Sequence, residues 1–273
     1  MASLQDPLPD GRGSGHDKEK ILSKRSKSHK HVVQKYSMSK RRDILMAMPF
    51  LAAHAAEAEA VEDTIYIPPK QLETDRKLIV DFIDEYSFAM LITAKGGVHV
   101  TNVPTLLDRD ENGWGKLWWH IAKGNKQNEA FDGTTECTVV FHGPHGYISP
   151  NWYTTKNAVP TWNFAVVHAT GRPQRITDDE AFARGLKRLV GQNEARYGGG
   201  TAWDYSKLTD AYLKGMRQGI VPYEMKIEQV EAKFKLGHER QPADREGVLR
   251  GLKAGRKERN LTEFTEAYYA RIK

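Results

Sequence analysis

Cysteine occurs once in this chain, at Cys137. That excludes an internal disulfide framework and any metal site built from several thiolates. The residue runs into the apolar stretch Thr138-Val139-Val140-Phe141. A small core residue is expected there, whereas a reactive thiolate needs an electropositive, accessible setting. No uninterrupted apolar run is long enough for a membrane span. Also missing are a GxGxxG after a strand, GxxxxGKS/T, HExxH and GxSxG, each of which would bring a defined chemistry with it.

A broad basic face is lacking too, although the chain carries a formal charge of +6. Residues 1–42 hold 11 Lys/Arg against 4 Asp/Glu, so residues 43–273 sum to one net negative charge. Phosphate-dominated DNA binding requires a wide cationic surface, and no helix-turn-helix pattern accompanies this nearly neutral body. Direct DNA binding by the body is therefore not expected.

What is present begins with a tail. Residues 1–37 are rich in Gly, Ser, Lys and His and poor in apolar residues, the composition of a disordered segment. From Met38 the pattern changes to Arg41-Arg42, the apolar run Met46–Ala53, and small-residue sites at Ala53-His54-Ala55 and Ala56-Glu57-Ala58. These are the parts of a Tat-type export signal over 38–60, which implies a periplasmic protein if Met38 is the start. A short amphipathic helix in a cytoplasmic protein is the competing reading.

The 273 residues suffice for one large domain or two small ones. The body is expected to begin at Ile65-Tyr66-Ile67-Pro68-Pro69. A helix is predicted over Leu72–Glu85, with Thr74 as cap and Leu78, Ile79, Phe82 and Ile83 on one face. Strands are predicted over 87–93 and 98–104 around an Ala94-Lys95-Gly96-Gly97 hairpin turn, then over 116–121 and 136–141. A loop rich in Trp, His and Pro follows Phe141, leading into a strand that reaches Arg175. Helices are expected over 178–196 and 207–217, a strictly alternating strand over 220–230, and a charged helical tail over 241–273. Short antiparallel strands with late helical insertions point to a mainly β, α+β fold built on a β-barrel.

Two places could carry chemistry. Ala122 to Asn128 breaks a strand and starts a short helix, where free backbone N–H groups beside Lys123 would suit an anion or phosphate. An ordinary cap with a solvated lysine is the alternative. His142 and His145 lie three apart, with His120 and His168 on strands, so converging imidazoles for zinc or haem iron are a second possibility. Trp118, Trp119, Tyr147, Trp152, Tyr153 and Trp162 are suited to a core or dimer seam, or to the walls around a flat cofactor.

Five ordered motifs add a resemblance. They are Tyr66-Ile67-Pro68-Pro69, the run from His120 to Gln127 (HIAKGNKQ), the run from Phe141 to Tyr153 (FHGPHGYISPNWY), Val159-Pro160-Thr161-Trp162-Asn163-Phe164, and Lys233-Phe234-Lys235-Leu236. In them the chain from Ile65 to about Leu252 resembles the PaiB family, the FMN-binding negative transcriptional regulators of the pyridoxamine-phosphate-oxidase-like superfamily. The resemblance implies a six-stranded antiparallel split barrel over 65–240, with a helical insertion at about 178–217, that forms a homodimer with FMN at the interface. It implies that His120, Ile121, Ala122, Lys123 and Asn125 hold the flavin phosphate. Thr101, Asn102, Val103 and Pro104 would lie along the ring system, and Ser149, Trp152 and Trp162 would close the pocket from the second subunit. Two departures stand out. Gly237-His238-Glu239-Arg240 replaces the usual Ser-Gln-Asn-Arg, and Asn125-Lys126-Gln127-Asn128 replaces Asn-Pro-Gln-Trp. The resemblance implies a flavin-dependent regulator or sensor, with a small flavin-dependent oxidoreductase and a haem- or metal-handling barrel as the other readings.

Overall fold

The computed structural model describes residues 63–200, 203, 207–255 and 259–272; the basic tail 1–37 and the export-type segment 38–60 lie outside them. The first helix, α1 (Arg76–Glu85), starts where Asp75 accepts the Leu78 N–H at 3.0 Å. Asp75 is the cap in place of the expected Thr74, because a carboxylate one residue later reaches the free N–H groups of the first turn. Ile79, Val80, Phe82 and Ile83 form its buried face.

Strands β1 (Phe88–Thr93) and β2 (His99–Pro104) pair as the expected hairpin, with Gly96 and Gly97 both at positive φ in the turn. Then come β3 (Leu106–Asp108), β4 (Lys116–Ala122), β5 (Cys137–Ile148), β6 (Thr161–Gly171) and β7 (Gln174–Arg175). Helices α2 (Asp179–Tyr197) and α3 (Asp210–Gln218) precede β8 (Ile220–Lys226) and β9 (Gln229–Lys235), and α4 (Pro242–Gly255) and α5 (Arg259–Arg271) close the chain. The strands form two antiparallel sheets, β2-β1-β5-β6-β9 and β3-β4-β8-β7. Their inner faces share one core that includes Leu91, Phe141, Trp119, Tyr223, Met225 and Phe234.

The described residues thus hold nine strands, where six were expected. Two of the three extra strands are the short β3 and β7. The third arises because the strand expected over 220–230 is broken in two near Ile227. Its alternation runs on through buried Ile227, but there the chain leaves one sheet for the other. The Ile227 N–H donates to Gly115 O and the Glu228 N–H to Thr170 O. The chain makes the reverse crossing beside this one, at Arg172-Pro173 between β6 and β7. A side chain on Gly171 would collide with Lys226 O, which is why the corner needs glycine.

The expected loop after Phe141 is instead strand. β5 runs on for 12 residues, with an irregularity between His142 and His145 that absorbs Gly143 and Pro144. A bulge is one of the few places where a sheet tolerates proline, and any Cβ on Gly143 would overlap the Phe82 ring.

α2 lies on the outer face of the second sheet, where Phe182 and Leu189 join Leu106 and Trp118 in a small separate core. Gly185 lets the helix rest directly on the Trp118 indole. The segment read as a charged helical tail is helical and also fills the main core. Phe264 packs against Phe82 and Phe234, Tyr268 against Phe234, and the Tyr269 hydroxyl donates to Leu236 O at 2.7 Å. Among the described residues no helix is long and apolar enough to cross a membrane.

Candidate functional site

β4 alternates across its sheet. Leu117, Trp119 and Ile121 point into the core, while Trp118 and His120 lie on the opposite face with their rings 5.8 Å apart. After Ala122 the chain turns back, and two side chains fix that turn against the β1–β2 hairpin. The Asn125 Nδ2 donates to Thr101 Oγ1 at 2.9 Å, and its Oδ1 accepts the Gln127 N–H at 2.9 Å. Buried Gln127 uses Nε2 to reach Leu91 O, Thr93 Oγ1 and His99 O at 3.2–3.3 Å. Asn128, which stands in place of the family's tryptophan, accepts the Tyr223 hydroxyl at 2.7 Å. These polar ties make the site's geometry a property of the fold.

The helix expected to begin here is a four-residue 3-10 turn, Lys126–Glu129. Its neighbouring N–H groups are already used, Lys123 N donating to Gly219 O and Asn125 N to Ala122 O. A cradle of free N–H groups is therefore not formed by Lys123 and Asn125. The cations remain: Lys123 and Lys126 are exposed and form no ion pair among the described residues. Beside them His120 is partly buried, with Nδ1 enclosed and lacking a hydrogen-bond partner among the described residues. Burial holds its pKa below the ordinary imidazole value, so the ring is neutral at pH 7.

The remaining candidate residues fall into two groups. On β2, Thr101 and Val103 face inward and Asn102 outward with Val100, while Pro104 pairs with Phe88 at the strand end. The side chains of Val103 and Ile121 are buried in the core. The outward side of this hairpin is apolar: Phe88 is 69% exposed, Val98 74% and Val100 56%.

Ser149, Trp152 and Trp162 belong to the far end of the β5–β6 hairpin. Ser149 caps the turn Pro150–Trp152, and Trp152 sits flat on α4, where Gly247 and Gly251 make room for it. Thr101 is level with Leu91 and Val139, and Trp162 with Tyr147. Eight residues of β5 separate these levels, about 25 Å along the sheet. One chain does not bring Trp162 to Lys123.

Register instead assembles an outward face that the sequence reading did not foresee. Tyr147 pairs with Trp162, and the row His145, Phe164, Lys235 lies beside the row His142, Val166, Lys233. Trp162 is 54% exposed, and the Lys233 Nζ stands 5.5 Å from the Phe164 ring centre. Three of the five sequence motifs thus converge here. Period-two parity on each side of the bulge was the signal that could have found it, and the Gly-Pro insertion hid the parity.

The four histidines do not converge. His142 and His145 are 4.8 Å apart between ring centres, His120 is in the other sheet, and His168 is held by Thr64 Oγ1 at 2.7 Å, which in turn binds Glu231. Among the described residues no group of three His, Cys, Asp or Glu side chains could hold a metal ion.

The chain is similar to several known proteins. A protein of Bacillus subtilis, "Protease synthase and sporulation protein PAI 2", is 32% identical over 189 residues, covering 69% of this chain and 89% of that protein. An uncharacterized protein of Aspergillus fumigatus is 28% identical over 236 residues, covering 69% and 90%. Among solved structures, the flavocytochrome Anf3 from Azotobacter vinelandii is 15% identical over 63% of this chain and 74% of that one, with a TM-score of 0.49. The family model described as "Putative FMN-binding domain" matches residues 65–229, and the chain belongs to that family.

Proposed function

We propose that this chain binds FMN as a homodimer of split barrels and works as a flavin-dependent regulator or sensor. The observation that carries the reading is Lys123. It is an exposed cation without an ion pair among the described residues, on a turn that Asn125 and Gln127 bind to β2 through Thr101 and His99. A phosphate dianion fits there, with Lys126 as a second cation, and the apolar outer side of β1–β2 suits the ring system. Ala122, His120 and the Thr101–Pro104 backbone complete this half. The other half is Tyr147, Trp162, His145 and Lys235 of a second copy, because one copy leaves those groups about 25 Å away along the sheet. Bound flavin would supply electron or hydride chemistry, and the chain's residues would position and shield it. The regulatory side of the reading is supported by the name of the Bacillus relative, which ties that protein to protease synthesis and sporulation.

A small flavin-dependent oxidoreductase is the second reading. Neutral His120 favours it, since an imidazole uncharged at pH 7 can take up a proton beside the site. Anaerobic mixing with reduced nicotinamide separates the two readings: rapid bleaching of bound flavin supports the oxidoreductase, and no bleaching supports the sensor.

The site itself is tested by FMN titration of Lys123→Ala. Loss of one charge-assisted contact of about 1.5–3 kcal/mol weakens binding roughly 10- to 100-fold. Unchanged affinity would move the phosphate elsewhere.

A further inference from the structure

The second sheet carries a cleft on its helix-covered face that none of the functional residues above occupies. It has a volume of about 620 Å³ and lies between the start of α2, the end of α3 and the β7–β8 edge. Its floor is apolar, built from Ile176, Phe182, Leu213, Ile220 and Pro222. Three cations, Arg175, Lys214 and Arg217, stand around it with one acid, Asp179. The other acids at that helix start, Asp178 and Glu180, face Arg184 at 3.9 and 3.4 Å, so their charge is largely answered there.

Arg217 is the telling residue. Its guanidinium carbon lies 5.9 Å from the centre of the Phe182 ring, and its Nε is buried without a hydrogen-bond partner among the described residues. Buried N–H groups of a charged side chain are satisfied by protein, by water or by a ligand, and this one lines a cleft where an anionic acceptor can reach it. An apolar floor with a surplus of two positive charges selects a body that is hydrophobic at one end and anionic at the other.

We infer that this cleft is a binding site for a small amphipathic organic anion, an aromatic or branched apolar body bearing a carboxylate, sulfonate or phosphate that Arg217 receives. Lys214 and Arg175 add field at the rim. The site does not depend on the flavin reading, yet the two are neighbours. Ile220 and Pro222 are paired across the β4–β8 ladder with Ala122 and His120, and Gly219 O accepts the Lys123 N–H. Occupancy of the cleft would therefore press on the strand and turn that carry the proposed phosphate residues.

The test uses 8-anilinonaphthalene-1-sulfonate as probe, titrated by fluorescence into the full chain with and without excess FMN. The expected result is one site per chain that persists in both conditions. Arg217→Gln weakens it by about tenfold, the loss of a charge-assisted hydrogen bond. Lys214→Gln weakens it less, and Lys123→Ala leaves it unchanged. Uncharged 1-anilinonaphthalene binds much more weakly. Leu213→Trp fills the floor without altering charge and removes binding, which decides the matter if Arg217→Gln fails to fold. Wild-type affinity in both Arg217→Gln and Leu213→Trp, or equal binding of the uncharged probe, would overturn the assignment. Displacement of the probe by FMN in a manner abolished by Lys123→Ala would likewise place it at the flavin site and sink the idea.

Discussion

The Cys137 thiol is fully buried in β5, and burial pushes its pKa up to about 12. A thiol held protonated at pH 7 and shut away from solvent has no reactivity to offer. Iodoacetamide is accordingly expected to leave the native protein unlabelled and to modify Cys137 only after unfolding in guanidinium. Labelling of the native protein at a rate near that of a free thiol would show that β5 opens. Asp244 is also enclosed but ionised. It accepts the N–H and hydroxyl of both Thr154 and Thr155 at 2.6–3.0 Å, and those bonds hold its pKa well below the carboxylate range. A lowered folded-state pKa means its stabilising contribution is present above the unfolded value, about 3.9, and is lost as pH falls below it. Asp244→Asn should lower the urea midpoint at pH 7, with the gap to wild type closing on acidification below about pH 4. A gap constant from pH 7 to pH 3 would contradict the role given to this carboxylate.

At the level of elements, the β5–β6 connection is not a free flap. Asp244 ties its second half to α4, Trp152 lies on Gly247 and Gly251 of the same helix, and Arg240 stacks 4.0 Å from the Tyr153 ring centre. Gly251→Ala would put a methyl group inside the Trp152 ring, and overpacking of this kind costs about 1–3 kcal/mol. Urea unfolding checks it; a stability equal to wild type would mean the loop moves away without cost. These elements also show where sequence reasoning reached its limit. Helices with one apolar face, such as α1 and α2, were legible because their burial follows local periodicity. The part of β5 after Phe141 was read as a loop because Gly143-Pro144 is a loop signal everywhere except at a bulge. The strand read over 220–230 spans parts of two strands, because alternation does not reveal which sheet a strand joins. The tail's contribution to the core was hidden because α4 and α5 are charged on one side, and only the fold shows what the other side meets.

For the molecule as a whole, the candidate site was half legible. Lys123 and Asn125 were singled out as the start of a short helix, and the chain there forms a 3-10 turn whose neighbouring N–H groups are already bonded. Their tie to Thr101 depends on a contact 24 residues apart in sequence, which no local pattern encodes. The aromatic and basic face of Tyr147, Trp162, His145 and Lys235 needed the register of three strands. In one chain these two halves stay apart, so the account requires two chains, with each of two equivalent flavin sites built from both. Mixing FMN with the purified protein, removing the free cofactor by gel filtration, and recording the absorbance of the dimer-sized fraction tests this most directly. The account predicts flavin bands in that fraction, about one FMN per chain, released on denaturation. A colourless protein, or flavin that co-elutes with a monomer, would contradict it.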